Sequence, residues 1–160
     1  MPKNISQVSP EENLRTNLCK ECGKQAKAIQ RVTIYHMLKR PFMHEIQDTT
    51  YFYCETMNCD VVYFSNETGQ YFFQDQIRVP VGSKQGGHEK QLCYCFDYTM
   101  KNIEDEIENK GNSSAADDIT AKVQAKLCAC EIKNPAGRCC LGQVRAAVKE
   151  ALVKHSEVKA

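Results

Sequence analysis

Ten cysteines in 160 residues are the groups best placed to do chemistry here, and their spacing sorts them into two sets. Cys19-Lys20-Glu21-Cys22, followed by Gly23, pairs with Cys54-x4-Cys59. Four thiolates delivered from two tight loops are the donor set of a closed tetrahedral zinc site. The other six cysteines lie in Leu92-Cys93-Tyr94-Cys95 and in the run Cys128-Ala129-Cys130-Glu131-Ile132-Lys133-Asn134-Pro135-Ala136-Gly137-Arg138-Cys139-Cys140. A [2Fe–2S] cluster needs four thiolates, two for each iron. Cys93-x-Cys95 is short enough to serve one iron from one loop, and the Asn134-Pro135-Ala136-Gly137 turn can return Cys140 toward Cys130. Cys139 and Cys140 are adjacent, so their side chains diverge. Cys140 is the better ligand because it falls at a helix start, where the dipole and free N–H groups favour negative sulfur. Arg138 is placed to offset an anionic cluster. Spacing alone does not separate an iron–sulfur centre from a second zinc.

The elements that must hold these thiols follow from local pattern. Residues 1–18 are polar and read as a disordered tail. The β-branched run within 28–38 favours a strand. Tyr51-Phe52-Tyr53, Asp60-Val61-Val62-Tyr63-Phe64 and Tyr71-Phe72-Phe73 read as aromatic strands whose rings form the core of a small sheet. No basic residues interleave those rings as a base-stacking platform would require. His36 and His44 lie near this sheet, but four cysteines already suffice for its metal. Residues 83–90, rich in Gly and Ser, read as a linker between a zinc-ribbon-like module at 19–82 and a helical module at 91–155, with 156–160 as a tail. In the second module Thr99 suits the N-cap of a helix over 100–110 that Gly111 ends. A second helix is expected over 115–127, with Ile119, Val123 and Leu127 on its apolar face. Residues 128–138 read as a loop, and a third helix is expected over 141–154. The fold class expected is therefore α+β: a small antiparallel sheet, then helices.

The charge balance, 21 basic against 20 acidic residues, gives no support for nucleic-acid or membrane-surface binding. No apolar run approaches the roughly 20 residues that cross a bilayer, and the first residues do not resemble a signal peptide. A cytoplasmic location follows as the expectation, where reduced, clustered cysteines bind metal rather than pair as disulfides. Hydrolase signatures such as His-Glu-x2-His or Gly-x-Ser-x-Gly do not occur, so no enzymatic activity is expected.

The linked run Cys130-x3-Asn134-Pro135-x-Gly137-Arg138-Cys139-Cys140, with Leu92-Cys93-Tyr94-Cys95 ahead of it, resembles the amino-terminal domain of CopZ-type copper chaperones. The second half is also similar to the bacterioferritin-associated ferredoxin family, a small helical [2Fe–2S] fold. Cys19-x2-Cys22 and Tyr51-Phe52-Tyr53-Cys54-x4-Cys59-x-Val61-Val62-Tyr63-Phe64 extend the chaperone likeness upstream. The resemblance implies a cluster on Cys93, Cys95, Cys130 and Cys140, and zinc on Cys19, Cys22, Cys54 and Cys59. It leaves Cys128 and Cys139 without a role. It implies work in copper trafficking, by one-electron reduction of Cu(II) to Cu(I). Its partners would be copper ions, a separate copper-binding domain or a copper-transporting ATPase. The Met-x-Cys-x2-Cys loop of the chaperones' copper domain is not found in these 160 residues. Two other readings therefore stand beside it: a ferredoxin-like electron carrier or iron-release partner without a copper role, and an all-zinc adaptor.

Overall fold

The first sheet is built from aromatic strands whose period-two alternation divides their rings between two faces. The computed structural model describes residues 16–159. Strands β1 (Lys27–Ile29), β2 (Tyr51–Tyr53), β3 (Val61–Ser65) and β4 (Gln70–Phe73) pair in that order, each antiparallel to the next. Tyr51, Tyr53, Tyr63 and Phe72 face one core; Phe52, Phe64, Tyr71 and Phe73 face another that contains Cys19, Cys54 and Cys59. Every residue of β3 is buried because both of its faces are covered. An irregularity in its pairing between Val61 and Tyr63 lets Val62 and Tyr63 serve the same core.

The expectation of a strand over 28–38 holds only for its first residues. After β1 the chain turns into helix α1 (Arg31–Met37), which buries Ile34 and Met37 against the sheet and Thr33 beside Gly137. Ile34 and Met37 stand three residues apart and so share a helical face. Packing of that face overrides the β preference of Val32, Thr33 and Ile34, a preference of a few tenths of a kcal/mol, roughly, per residue. Most of the expected tail, residues 1–15, lies outside the described residues. Leu18 bridges Gln25, and Asn66 donates to the carbonyls of Thr16 and Leu18, so residues 16–18 are tied to the sheet.

The second half opens with a two-stranded sheet, β5 (Gln91–Cys93) and β6 (Tyr98–Thr99). Helix α2 (Met100–Lys110) starts at Thr99, whose hydroxyl accepts from the Asn102 N–H, and stops at Gly111 with φ +77°. Helix α3 (Ala115–Gln124) ends earlier than the expected 127. Lys126 takes a left-handed φ of 60°, and Leu127 turns outward to 64% exposure instead of extending the apolar face. Within the expected loop, Cys130–Lys133 forms one helical turn, α4. Helix α5 (Leu141–Lys159) continues past the expected 154, through residues assigned to a tail. Met100, Ile103 and Ile107 of α2, Ile119 of α3 and Val144, Ala147 and Ala151 of α5 enclose Cys93 and Cys140 in one core.

Residues 83–90 are fastened at both ends. Two short 3-10 turns, Gly82–Lys84 and Gly87–Glu89, span most of the stretch. The Gly82 N–H donates to the Tyr94 hydroxyl, which donates in turn to the Pro80 carbonyl. Ser83 Oγ lies 2.6 Å from the Tyr53 hydroxyl. Farther on, α4 packs on α1. The buried Tyr63 hydroxyl donates to the Pro135 carbonyl at 2.5 Å, reaching from the first sheet into the cysteine loop.

Candidate metal centres

The first thiol set is gathered by two turns and one strand pair. Gly23, at φ +74°, closes the first turn, with its N–H donating to the Cys19 carbonyl at 2.7 Å. Cys54 leaves β2 with its N–H on the Val62 carbonyl, and the Cys59 N–H reaches the Thr56 carbonyl at 3.2 Å. All four sulfurs, of Cys19, Cys22, Cys54 and Cys59, lie within 4.8 Å of one another. Cys19 and Cys59 are 3.8 Å apart, and Cys22 and Cys54 are 3.7 Å apart. A zinc–thiolate bond of about 2.3 Å gives a tetrahedron with an edge of about 3.8 Å. The sulfurs are thus spaced as a tetrathiolate zinc site requires, and the donor chemistry fits the ion.

The electrostatics around this set are uneven. Burial pushes the Cys19 thiol up to about 12 and raises Cys59 as well. Burial also opposes the Cys22 thiolate, but the Thr56 hydroxyl at 3.3 Å and the Lys24 backbone outweigh it and bring Cys22 down to about 7. A metal tetrathiolate carries a net negative charge, and Lys84 stands ready to meet it. Its ammonium donates to the carbonyls of Thr56 and Cys59 at 2.9 and 2.8 Å, clamping the second loop. Lys84 lies within the stretch read from sequence as linker. Its isolated positive charge among glycines carried no pattern that could have revealed this role.

The second set is arranged as two pairs. Cys93 ends β5 inside the core, and Cys140 occupies the position just before α5, its carbonyl accepting the Val144 N–H at 2.9 Å. The two thiols face each other within hydrogen-bonding reach. The Cys140 thiol donating to Cys93 brings Cys93 down to about 6, and the same contact drives Cys140 up. Cys95, in the turn after β5, lies with its sulfur 3.5 Å from that of Cys130, at the start of α4. The Ala129 N–H donates to Cys95 Sγ at 3.2 Å. Burial, then the neighbouring Cys95, pushes Cys130 up to about 12. The spacing expects Cys93 and Cys95 to serve one iron from one loop; in the structure Cys93 stands beside Cys140 and Cys95 beside Cys130. The buried core takes Cys93 toward α5 while the turn carries Cys95 to α4, so each pair joins the two loops.

The remaining candidates are placed as follows. Cys128 and Cys139 lie at the surface beside Cys130. Arg138 reaches Glu55 at 3.5 Å, across the boundary between the halves. His36 and His44 line a shallow hollow with Met43 that contains no cysteine. Asn134, almost fully buried, shapes the cysteine loop: its side-chain carbonyl accepts the Ala136 N–H, and its amide donates to the Arg138 carbonyl. Gly137 completes the turn at φ +67°, pressed so closely on β1 and α1 that a Cβ would lie 2.8 Å from Ile29 Cδ1 and from Thr33 Oγ1.

Residues 16–78, which contain the whole first thiol set, match a family described as a zinc-binding domain, the one found in CopZ. The copper chaperone CopZ of Archaeoglobus fulgidus is 31% identical over 122 residues, 76% of this chain and 57% of that protein. The chain thus spans little more than half the length of this curated relative. The X-ray structure of the A. fulgidus CopZ N-terminal domain superposes with a TM-score of 0.66 at 26% identity, covering 81% of this chain and 95% of that one.

Proposed function

We propose that this chain, a CopZ-type amino-terminal domain with a zinc-binding module, holds a structural zinc and a [2Fe–2S] cluster and serves copper trafficking by one-electron reduction. The observation that carries the reading is the contrast between the two thiol sets: one gathered at tetrahedral spacing, the other split into two pairs.

Zinc belongs on Cys19, Cys22, Cys54 and Cys59. Four thiolates close its coordination sphere and leave no position for water, so its role is to fasten loops rather than to react. Cys93, Cys95, Cys130 and Cys140 suit the cluster, because two pairs offer two thiolates to each of two irons. On this geometry one iron would sit with Cys93 and Cys140 and the other with Cys95 and Cys130. A cluster bound there supplies a single electron, and Cu(II) that takes it becomes Cu(I), the soft ion thiolates prefer. The chain's residues set the conditions for that exchange. The Ala129 N–H on Cys95 stabilises negative sulfur, while the α2–α5 core keeps water from Cys93 and Cys140.

The test is anaerobic purification followed by iron, sulfide and zinc analysis and EPR of the reduced protein. The expected result is iron and sulfide in equal amounts, at about twice the zinc, with a signal that Cu(II) abolishes as Cu(I) chelator colour develops. Zinc alone, or a cluster whose signal survives Cu(II), would refute it.

A further inference from the structure

The outer face of α1 carries a hollow that neither thiol set uses. It has a volume of about 460 Å³, and Val32, Tyr35 and Met43 give it an apolar lining. Val32 and Tyr35 are 42% and 52% exposed, while the opposite side of α1 buries Ile34 and Met37 in the sheet core. Exposed apolar side chains standing singly need no partner. Here they adjoin in one recess, and its surroundings carry mainly one sign of charge. Arg31, His36 and His44 share the lining. From Cys22 to His44 the chain holds Lys24, Lys27, Arg31, Lys39 and Arg40, all exposed, and no acidic residue. Arg78 adds a further cation, with its guanidinium 3.2 Å from Met43 Sδ and donating to the Leu38 carbonyl at 2.6 Å. Glu45 and Asp48 come next in the chain, and Asp48 is held by Arg31 at 2.9 Å.

We infer that this hollow is the docking surface for an acidic electron-donor protein, one that presents an apolar side chain among carboxylates. The inference rests on the reductive reading above for what the partner carries, and on the hollow and its charge for the place. Aromatic residues, methionine and arginine are the types that protein interfaces favour. A basic surface draws an acidic partner in and fixes its orientation. A nucleic acid would need a series of stacking rings, and among the described residues the lining offers one, Tyr35, besides two imidazoles. The surface also lies where an electron must arrive. Helix α1 packs on α4, which begins at Cys130, and Ile29 and Thr33 press on Gly137 of the same cysteine loop. Packed helices stand about 8–10 Å apart, axis to axis, so a donor seated on α1 is one helix away from the second thiol set. Each Cu(II) reduced takes one electron from that centre, and the donor returns it. The donor is oxidised by one electron and the centre reduced by one; no bond changes and no proton moves.

The experiment mixes anaerobic oxidised protein, with both of its centres loaded, with a reduced acidic flavodoxin by stopped flow, and follows the flavin absorption. The expected rate saturates with flavodoxin and falls by about tenfold or more between low and physiological salt. Lys39→Glu combined with Arg40→Glu should slow it by about tenfold or more at low salt, and Tyr35→Ala should raise the flavodoxin concentration that half-saturates it. The same charge reversal on α5, Lys149→Glu with Lys154→Glu, should leave the rate within about twofold. Reduction by reduced methyl viologen, a small cation, should not slow in any variant. Equal rates in wild type and the Lys39/Arg40 variant overturn the proposal, as does equal slowing by the α5 pair. A chain without a cluster refutes the reductive reading alone. Oxidised flavodoxin is then titrated by calorimetry into the zinc-loaded protein: binding that the Lys39/Arg40 variant loses sustains the docking surface, and no binding by wild type overturns it. Single-stranded DNA that displaces flavodoxin, or wild-type dimers that the same variant abolishes, would overturn it by making a nucleic acid or a second copy the occupant.

Discussion

Cys22 and Gly137 show how single residues set the terms of this molecule. Zinc must displace whatever protons its thiols hold, so its affinity falls as pH falls. Cys19, pushed up to about 12, keeps a proton for the metal to displace throughout the neutral range. Cys59, raised as well, does the same, and Cys22, brought down to about 7, adds a further proton only below that point. The plot of log affinity against pH should therefore steepen below about 7. Competition titrations with a zinc chelator from about pH 5.5 to 8.5 check this, and a plot of constant slope would refute it. Gly137→Ala belongs to the same scale. A side chain there must adopt φ +67° and meet Ile29 and Thr33 at 2.8 Å. The expected cost is about 2–4 kcal/mol, read as a lowered denaturation midpoint with zinc retained.

At the level of elements, the zinc module is the part whose existence depends on its ion. Cys19, Cys54 and Cys59 are buried members of the core that Ala26, Val61 and Phe64 complete, so emptying the site leaves a hole lined with polar sulfur. A structural zinc contributes roughly 10–16 kcal/mol, as much as the whole stability of a typical domain at about 5–15 kcal/mol. Chelation should thus abolish the β signal in far-ultraviolet circular dichroism, and zinc should restore it. A sheet that survives chelation would show that its aromatic packing suffices. The elements also mark where sequence was legible. Strands 51–53, 61–65 and 70–73 and the capped helix 100–110 announce themselves through aromatic alternation, Thr99 and Gly111, all local signals. The first thiol set was equally plain, because turn spacing is local. Helix 31–37 was hidden because Val32, Thr33 and Ile34 mimic a strand, and only contact with the sheet decides between them. The cross-pairing of Cys93 with Cys140 and Cys95 with Cys130, like the Lys84 clamp, depends on tertiary placement that no short window contains.

Over the whole molecule, the two halves are joined by specific polar contacts as well as by chain. Tyr63 reaches Pro135, Tyr53 meets Ser83, Tyr94 ties Gly82 to Pro80, and Arg138 meets Glu55. The Arg138–Glu55 ion pair lies at the surface, where it contributes little. Tyr63→Phe strands a carbonyl in the interior and should cost about 1–3 kcal/mol. It should also split one thermal transition into two, followed separately by tyrosine fluorescence and by helical dichroism. A single transition in the variant would mean that the remaining contacts couple the halves unaided.

The Tyr63–Pro135 bond has a further meaning for biogenesis. Residues on either side of that carbonyl bear Cys130 and Cys140, and the hydroxyl that positions them belongs to a strand finished much earlier in synthesis. Maturation thus has a favoured direction: the upstream knot, once set, steadies the downstream cradle. On the function proposed above, cells starved of zinc should yield chain depleted in both centres, whereas cells starved of iron should yield chain that keeps its zinc.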